Sequence, residues 1–265
     1  MQRLLRMTFV LAALLTFTAL ISPAKAQPNQ QWGTIKGQIV WGGKAMPAAE
    51  LIDIPKGMVQ AVVKNPNFNA VANQLKSDAL IVNPQGKGIK NVFVCVLEQP
   101  GKKLAIHPKL QAVPKSPVVV KNSNGLFEPR IAVVREGQAL EFQNNGIFNL
   151  TVMVQGDPGI NPPVAHAIPA AAKAQLNLKA QKLPLAMTRA VHAWMQGRIH
   201  VVAHPYAVLT DDNGNFEIKD VPAGGQKLFI YHETIGYRLG AKGRNGEDVN
   251  IPAGGAKNLG ALNMR

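Results

Sequence analysis

Short runs of apolar and often β-branched residues recur along the chain, and segments rich in glycine and proline separate them. Such runs, bounded by turn residues, are typical of strands in β-sandwiches. A helix is indicated only after Pro66, through Phe68, Val71 and Leu75, where several asparagines lower the helix propensity. The pattern therefore predicts an all-β fold with strands at residues 34–41, 79–82, 92–97, 118–120, 131–134, 150–154, 199–203 and 228–231.

The run at residues 92–97 is apolar at every position, which is typical of a strand buried on both of its faces. It contains Cys95, the only cysteine of the chain, so no disulfide can form within the molecule. A free cysteine in such a strand behaves as a small hydrophobic residue. We therefore expect Cys95 to be structural.

The first 26 residues have the features of an export signal. Arg3 and Arg6 precede an apolar stretch at residues 7–21, and Ala-Lys-Ala at residues 24–26 is a small-residue cleavage site. The apolar stretch is shorter than the roughly 20 residues that a membrane span needs, so no transmembrane anchor is expected. We expect a periplasmic or secreted protein whose mature chain begins near Gln27.

Cleavage would remove three basic residues and no acidic one, which lowers the formal net charge from +14 to +11. A basic exported protein meets anionic polymers of the cell envelope rather than cytoplasmic nucleic acid. The lysines are scattered along the chain, with no dense basic run. The expected partner is an envelope protein or an anionic polysaccharide, and no nucleic acid.

Asn213-Gly214 lies between two strand-like runs and is the strongest short signal for a hairpin, with positive φ expected at both positions. The acidic residues that begin at Asp211 are spaced like the first ligands of a calcium loop. The twelfth position counted from Asp211 is Pro222, where such a loop needs a bidentate glutamate. The segment therefore predicts a two-residue hairpin and no calcium site.

This hairpin with its flanks, residues 206–224, resembles the second half of carboxypeptidase-regulatory-like domains, which are also classed with carbohydrate-binding-like sandwiches. The first half of that pattern is present at residues 34–47, with its Gly-x-hydrophobic strand, and at residues 92–97. About 110 residues separate the two halves, which is the size of an additional small domain. The resemblance implies one sandwich built from two separated parts of the chain.

The intervening stretch, residues 117–205, resembles a cupredoxin. Residues 127–144 are similar to the opening strands of that fold, and residues 187–201 are similar to its closing ligand loop. Cupredoxins hold copper with one cysteine thiolate, two histidine imidazoles and a distant axial methionine. The resemblance implies a site of this composition at the loop.

Only two of the four ligand positions carry a ligand residue. His192 matches the C-terminal histidine and Met195 the axial methionine, whereas Arg189 stands at the thiolate position and Phe148 at the N-terminal histidine position. A guanidinium stays protonated, and a phenyl ring cannot bind a metal. We expect the phenyl ring of Phe148 to make the cavity apolar. We expect no copper and no other cofactor. An alternative is a soft Cu(I) site formed by Met187, His192 and Met195, which the charge of Arg189 opposes.

The predicted organisation is two Greek-key-type β-sandwiches, with a cupredoxin-like domain inserted in a prealbumin- or regulatory-like one. The signal peptide covers residues 1–26, the regulatory-like sandwich residues 27–100 and 206–265, and the cupredoxin-like domain residues 101–205. This combination resembles exported bacterial proteins described as methylamine-utilisation-like or rhamnogalacturonan-lyase-domain-like. The sequence contains no zinc-protease, serine-hydrolase, phosphate-loop or dinucleotide motif, so no enzyme is expected.

We therefore predict an exported, non-enzymatic protein that binds or assembles at the cell envelope and has a degenerate, copper-free cupredoxin domain. One alternative is a carbohydrate-binding module, for which Trp32, Trp41, Trp194 and Tyr206 are the candidates for a flat aromatic platform. Another alternative is a periplasmic copper-binding or electron-transfer protein.

Overall fold

The computed structural model describes residues 31–48, 50–52, 76–123, 126–146 and 148–265, so the predicted export signal and the predicted helix after Pro66 lie outside it. Within these residues the fold is all-β, with short 3-10 helices at Pro108–Leu110 and Gly240–Asn245. None of the helices in the described ranges is long and apolar enough to cross a membrane. The strands are β1 (Trp32–Trp41), β2 (Phe93–Leu97), β3 (Val118–Ser123), β4 (Leu126–Glu128), β5 (Ile131–Arg135), β6 (Leu140–Asn144), β7 (Leu150–Gln155), β8 (Val164–Ile168), β9 (Lys173–Leu176), β10 (Leu185–Arg189), β11 (Gln196–Val202), β12 (Ala207–Leu209), β13 (Asn215–Pro222), β14 (Gly224–His232), β15 (Gly236–Tyr237), β16 (Glu247–Ile251) and β17 (Ala256–Met264).

The first sandwich combines strands from the two ends of the described chain. One sheet has the order β13-β1-β17, in which β1 is antiparallel to β13 and parallel to β17. The other sheet has the order β12-β2-β14, and β15 and β16 also pair with β14. The pairing of β2 with β14 joins residues 93–97 to residues 227–231. The two sheets share a core that includes Ile35, Ile39, Val94, Tyr206, Phe216, Ile218, Leu228, Ile230 and Met264.

The second sandwich is formed entirely by the chain between β2 and β12. Its sheets have the orders β5-β11-β10-β7-β8 and β4-β3-β6-β9. Alternating residues of these strands point inward and bury apolar surface, which is the main stabilising contribution in such a fold. The second core includes Val120, Phe127, Val134, Leu140, Phe142, Leu150, Val152, Leu185, Met187, Ile199 and Val201.

Strand β2 is buried on both faces, which confirms the prediction made from its uninterrupted apolar run. Its even-numbered residues, such as Val94, lie in the first core. Phe93 and Cys95 point the other way and form a cluster with Phe229 that contacts Val202 of the second sandwich. Burial raises the pKa of the Cys95 thiol to about 12, so the thiol stays protonated and unreactive at neutral pH.

Ion pairs join the two sandwiches across this junction. Arg130 of the second sandwich forms a bidentate pair with Glu233 of the first, with distances of 2.6 Å from Nε to Oε1 and 3.2 Å from Nη2 to Oε2. Arg130 Nη1 also lies 3.1 Å from Asp78 Oδ1 and donates to the Gln196 carbonyl. The side chains of Arg130 and Glu233 are only 9% and 6% exposed. The ion pair is therefore shielded from water and connects the two sandwiches.

The predicted strand at residues 79–82 is not present. The segment is a bend with a single bridge between Val82 and Ile89. The neighbouring side chains explain the difference, because the Thr234 hydroxyl donates to the Ala79 carbonyl and the Asn83 side chain accepts from the backbone of the following turn. A local side-chain hydrogen bond such as that of Asn83 competes with strand pairing.

The segment at Asn213-Gly214 is a corner between two sheets rather than a hairpin, because β12 pairs with β2 whereas β13 pairs with β1. Gly214 N donates to the Asp211 carbonyl at 2.9 Å, and only Gly214 has positive φ, at 76°. The Asp211 carboxylate accepts from the backbone N–H groups of Asn213 and Asn215, which closes the corner. The predicted turn with positive φ at both positions is therefore wrong.

We expect Gly214→Val to destabilise the protein by more than about 2 kcal/mol. A Cβ at Gly214 would overlap the Ile39 carbonyl oxygen and lie 2.8 Å from Gly88 Cα, in addition to the backbone strain of the positive φ. Gly224→Val is the matched control, since Gly224 has φ 95° but open space around its Cα. Urea unfolding of both variants measures the difference, and equal losses would contradict the close approach at Gly214.

Candidate functional site

The loop between β10 and β11 contains the residues that resemble a copper-ligand loop. The buried positions of β10 are Leu185, Met187 and Arg189, which alternate with half-buried ones, so all three point toward the second core. Arg189 is the last residue of this inward row and is only 7% exposed. The backbone N–H of Arg189 donates to the Met195 carbonyl, and the N–H of Met195 donates to the His192 carbonyl. The loop is thereby closed at its base.

The Arg189 guanidinium contacts both residues at the remnant ligand positions. Its Nη1 lies 2.7 Å from His192 Nδ1 and donates to Met195 Sδ at 3.7 Å. Its Nη2 donates to the Asn149 carbonyl at 3.4 Å, which ties the loop to the connection between β6 and β7. A single buried cation therefore uses the donor atoms that a copper ion would need.

The guanidinium determines the tautomer of His192. Since Arg189 can only donate, His192 Nδ1 must accept, and the proton of the neutral imidazole is on Nε2. Burial and the nearby charge of Arg189 lower the pKa of His192 to about 4. The imidazole is therefore neutral at physiological pH.

The charge of Arg189 has no acidic counterpart in the described part of the chain, where no carboxylate lies within ion-pair distance of it. Burial lowers the pKa of Arg189, but a guanidinium remains protonated even so. Its Nε is buried without a hydrogen-bond partner. The hydrogen bonds to His192, Met195 and Asn149 are thus the interactions that compensate its burial.

Two further contacts fix the shape of the loop. The His192 ring stacks on Trp194, with ring centroids 4.6 Å apart and an angle of 15° between the planes. Trp194 is half-buried and packs against the second core, while Met195 is completely buried. The His192, Trp194 and Met195 side chains are therefore each in contact with a neighbour.

The connection between β6 and β7 is organised by the buried Asn144. Its Nδ2 lies 2.8 Å from the Phe148 carbonyl and 3.0 Å from the Ile168 carbonyl, and its Oδ1 accepts from Gly146 N. The Phe148 side chain is 54% exposed, so it lies outside the cavity. The expectation that its phenyl ring lines the cavity is therefore wrong. The reason is that Asn144 holds the Phe148 backbone inward while the Arg189 guanidinium already occupies the interior.

No protein-family model and no curated protein sequence matches this chain. Among solved structures, it is similar to a copper-containing nitrite reductase from Thermus scotoductus SA-01, with 17% identity and a TM-score of 0.30 over 37% of this chain and 25% of that one. It is also similar to the Cu(I) form of an amicyanin variant, with 14% identity and a TM-score of 0.30 over 41% of this chain and 97% of that one. A purple cupredoxin from Nitrosopumilus maritimus gives 11% identity and a TM-score of 0.28 over 32% of this chain and 98% of that one. The match thus spans a quarter of the nitrite reductase.

The residues of the loop do not fit a copper ion. The position that would supply a thiolate carries a cation, and that cation is hydrogen-bonded to His192 and Met195. Cys95 cannot replace the thiolate, because it lies in the junction cluster with Phe93 and Phe229. No three His, Cys, Asp or Glu side chains in the described ranges are placed to hold a metal ion together. Met187, the third member of the alternative Cu(I) site, packs within the second core.

The aromatic candidates for a carbohydrate platform are not arranged as one. Tyr206 is completely buried, and its hydroxyl accepts from His107 N and donates to the Ala105 carbonyl. Trp32 and Trp41 pack against the first core, and Trp194 packs against the second core. Three of these side chains therefore contribute to the first core and one to the second.

The sequence indicates the loop but not the residues that support it. Asn144 enters the sequence analysis only as the end of the strand-like segment at residues 127–144, although its amide organises the Phe148 segment. The burial of Arg189 has a signal in the sequence, because Leu185 and Met187 precede it at alternating positions. A charged side chain that follows two inward-facing apolar residues at alternating positions also points inward, so its hydrogen-bond partners have to lie inside the domain.

We expect Arg189→Met to raise the pKa of His192 from about 4 toward 6.5 without restoring it completely, because burial is the larger cause. A lowered histidine pKa means that the folded state prefers the neutral ring. The contribution of the neutral His192 ring to the free energy of unfolding is fully present above pH 6.5 and is lost as the pH falls toward 4. NMR titration of the His192 ring in both proteins measures the shift. Arg198→Met is the control, and an unchanged His192 pKa in Arg189→Met would contradict the observed contact.

Proposed function

We propose that this chain is an exported, non-enzymatic protein that binds or assembles at the cell envelope, with a cupredoxin-like domain in which a guanidinium replaces the copper ion. The observation that carries the proposal is the contact of Arg189 Nη1 with His192 Nδ1 and Met195 Sδ. Entry of a metal would have to break these bonds and place a second cation beside a buried one. Uncompensated buried charge costs several kcal/mol, so the protein holds this loop for a purpose other than metal binding.

The surface around the loop supports a binding role. Phe148 and Val191 are 54% and 59% exposed, and they lie on two loops that the Arg189–Asn149 hydrogen bond joins. Ala190 and Ala193 are also exposed. We call these four residues the loop-end surface. Exposed apolar side chains on a rigid support are the usual centre of a protein interface, because little conformational entropy is lost when a partner covers them.

The sequence supports the remaining parts of the proposal. The basic start, apolar stretch and small-residue site of residues 1–26 favour export. The formal charge of +11 after cleavage favours contact with anionic components of the envelope. The resemblance of residues 34–47, 92–97 and 206–224 to regulatory-like domains favours a non-catalytic sandwich as the framework.

Site-specific photocrosslinking tests the proposed surface in intact cells. A photoreactive amino acid is placed at Phe148 or Val191, and at the equally exposed Leu239 of the first sandwich as the matched control. We expect one and the same envelope component to be trapped from positions 148 and 191 and not from position 239. The same products from all three positions, or none from the first two, would contradict the assignment of the binding surface.

A further inference from the structure

A cavity of about 300 Å³ lies between the two sandwiches, at the end of β11 opposite the Arg189 loop. Its apolar wall is formed by Phe93, Cys95 and Leu97, which are the residues of β2 that point away from the first core, and by Phe229. The facing wall comes from β11 and from the residues after it. Pockets between domains with a mainly apolar lining and few polar groups are common sites for small ligands.

Two buried histidines line this cavity: His204, whose Nδ1 accepts from Tyr206 N, and His200. His200 is 4% exposed and stacks on Phe93, with ring centroids 3.8 Å apart and an angle of 11° between the planes. Its ring nitrogens form no hydrogen bond with any described residue, and both keep some accessible surface. Burial, with a smaller effect of Arg198, lowers the pKa of His200 to about 3. The neutral ring therefore offers one donor and one acceptor that the protein itself does not use.

Two opposite charges line the same cavity from opposite sides. Glu98 follows β2 of the first sandwich, and Lys182 precedes β10 of the second. Neither forms an ion pair with a described residue, and the Glu98 carboxylate accepts only one hydrogen bond, from Leu104 N at 3.2 Å. An ammonium and a carboxylate that are not paired with each other can each receive a group of the opposite charge.

We propose that this cavity binds a free apolar α-amino acid. The side chain of the ligand lies against Phe93 and Phe229, its carboxylate pairs with Lys182, and its ammonium pairs with Glu98. His200 supplies a hydrogen bond to the polar head of the ligand. A volume of about 300 Å³ is at the lower end for ligand pockets, which fits a single amino acid better than a peptide or an oligosaccharide. This site is separate from the loop-end surface, so either proposal can fail without the other.

Three probes that share a phenyl ring test the recognition of the two charges. L-Phenylalanine carries both charged groups, 3-phenylpropanoate lacks the ammonium, and 2-phenylethylamine lacks the carboxylate. We expect the mature protein to bind L-phenylalanine about tenfold more tightly than either analogue. Chemical-shift changes in NMR spectra should be confined to residues 93–98, 180–182, 200–204 and 229. Shift changes elsewhere, or equal affinities for the three probes, would overturn the proposal.

Substitution of Lys182 or Glu98 shows which charged group of the ligand each side chain binds. Lys182→Gln should weaken binding of L-phenylalanine and 3-phenylpropanoate about tenfold and leave 2-phenylethylamine unchanged. Glu98→Gln should do the opposite, weakening L-phenylalanine and 2-phenylethylamine only. Both side chains are exposed, so folding should be unaffected, and Lys179→Gln, outside the cavity, is the matched control. Absence of binding by L-phenylalanine at millimolar concentration, or equal affinity in all three variants, would refute the site.

Discussion

Arg130→Met is expected to lower the free energy of unfolding by about 3–5 kcal/mol, because it leaves the Glu233 carboxylate buried without its partner. Glu233 is 6% exposed and receives two hydrogen bonds from Arg130. Arg198 Nε remains 3.6 Å from Glu233, a distance that compensates only part of the lost interaction. Urea unfolding of the variant and the unmodified protein gives the difference.

The double variant Arg130→Met with Glu233→Leu separates the ion pair from simple packing. Replacement of both charges by apolar side chains of similar size is often neutral, so this protein should recover most of the stability. Lys227→Met breaks the exposed pair with Asp248 and should cost less than about 1 kcal/mol. A double variant as unstable as the single one would show that the junction depends on something other than the uncompensated charge.

Phe148→His combined with Arg189→Cys is expected to give a protein that binds Cu(II) with an intense thiolate-to-copper absorption, and the unmodified protein is expected to show none. Removal of the guanidinium frees His192 Nδ1 and Met195 Sδ, and the two substitutions supply the missing thiolate and imidazole. The side chain at position 148 has to turn inward from its exposed orientation, and its backbone is already held by Asn144.

Each single substitution is the control for the pair. Arg189→Cys alone lacks the second imidazole, and Phe148→His alone keeps the guanidinium in place, so neither should develop the colour. Metal analysis after gel filtration and the visible spectrum are the measurements. A blue colour in the unmodified protein would contradict the assignment of Arg189 as the occupant of the site.

Local patterns in the sequence predict seven of the seventeen strands in the described ranges. The runs at residues 92–97, 131–134 and 150–154 become β2, β5 and β7 nearly residue for residue, because apolar β-branched residues and flanking turns are local signals. The failure at residues 79–82 involves one local hydrogen bond, from Gln85 N to Asn83 Oδ1, and one long-range hydrogen bond, from the Thr234 hydroxyl to the Ala79 carbonyl.

Long-range contacts are the part that the sequence does not predict. The parallel pairing of β1 with β17 joins the two ends of the first sandwich, and the contact between Arg130 and Glu233, 103 residues apart, joins the two sandwiches. The Asn213-Gly214 corner differs from the predicted hairpin for the same reason, because the partners of its flanking strands lie elsewhere in the chain.

The candidate site is predicted in composition but not in geometry. Spacing alone places Arg189, His192 and Met195 in one loop. It does not show that the guanidinium turns inward to contact both residues, or that the Phe148 ring turns outward. Those orientations follow from the alternation along β10 and from the amide of Asn144, which only the folded chain brings together.

The topology of β1 has a consequence for biosynthesis. Its two neighbours, β13 and β17, both follow the whole second sandwich in the chain. During synthesis from the N-terminus, the second sandwich can close its core while β1 still has two open edges and an uncovered apolar face. Such an unpaired strand is prone to wrong pairing with other chains. Efficient production of this protein therefore requires that β1 be shielded, by a chaperone or by rapid emergence of the remaining chain, until β13 and β17 reach it.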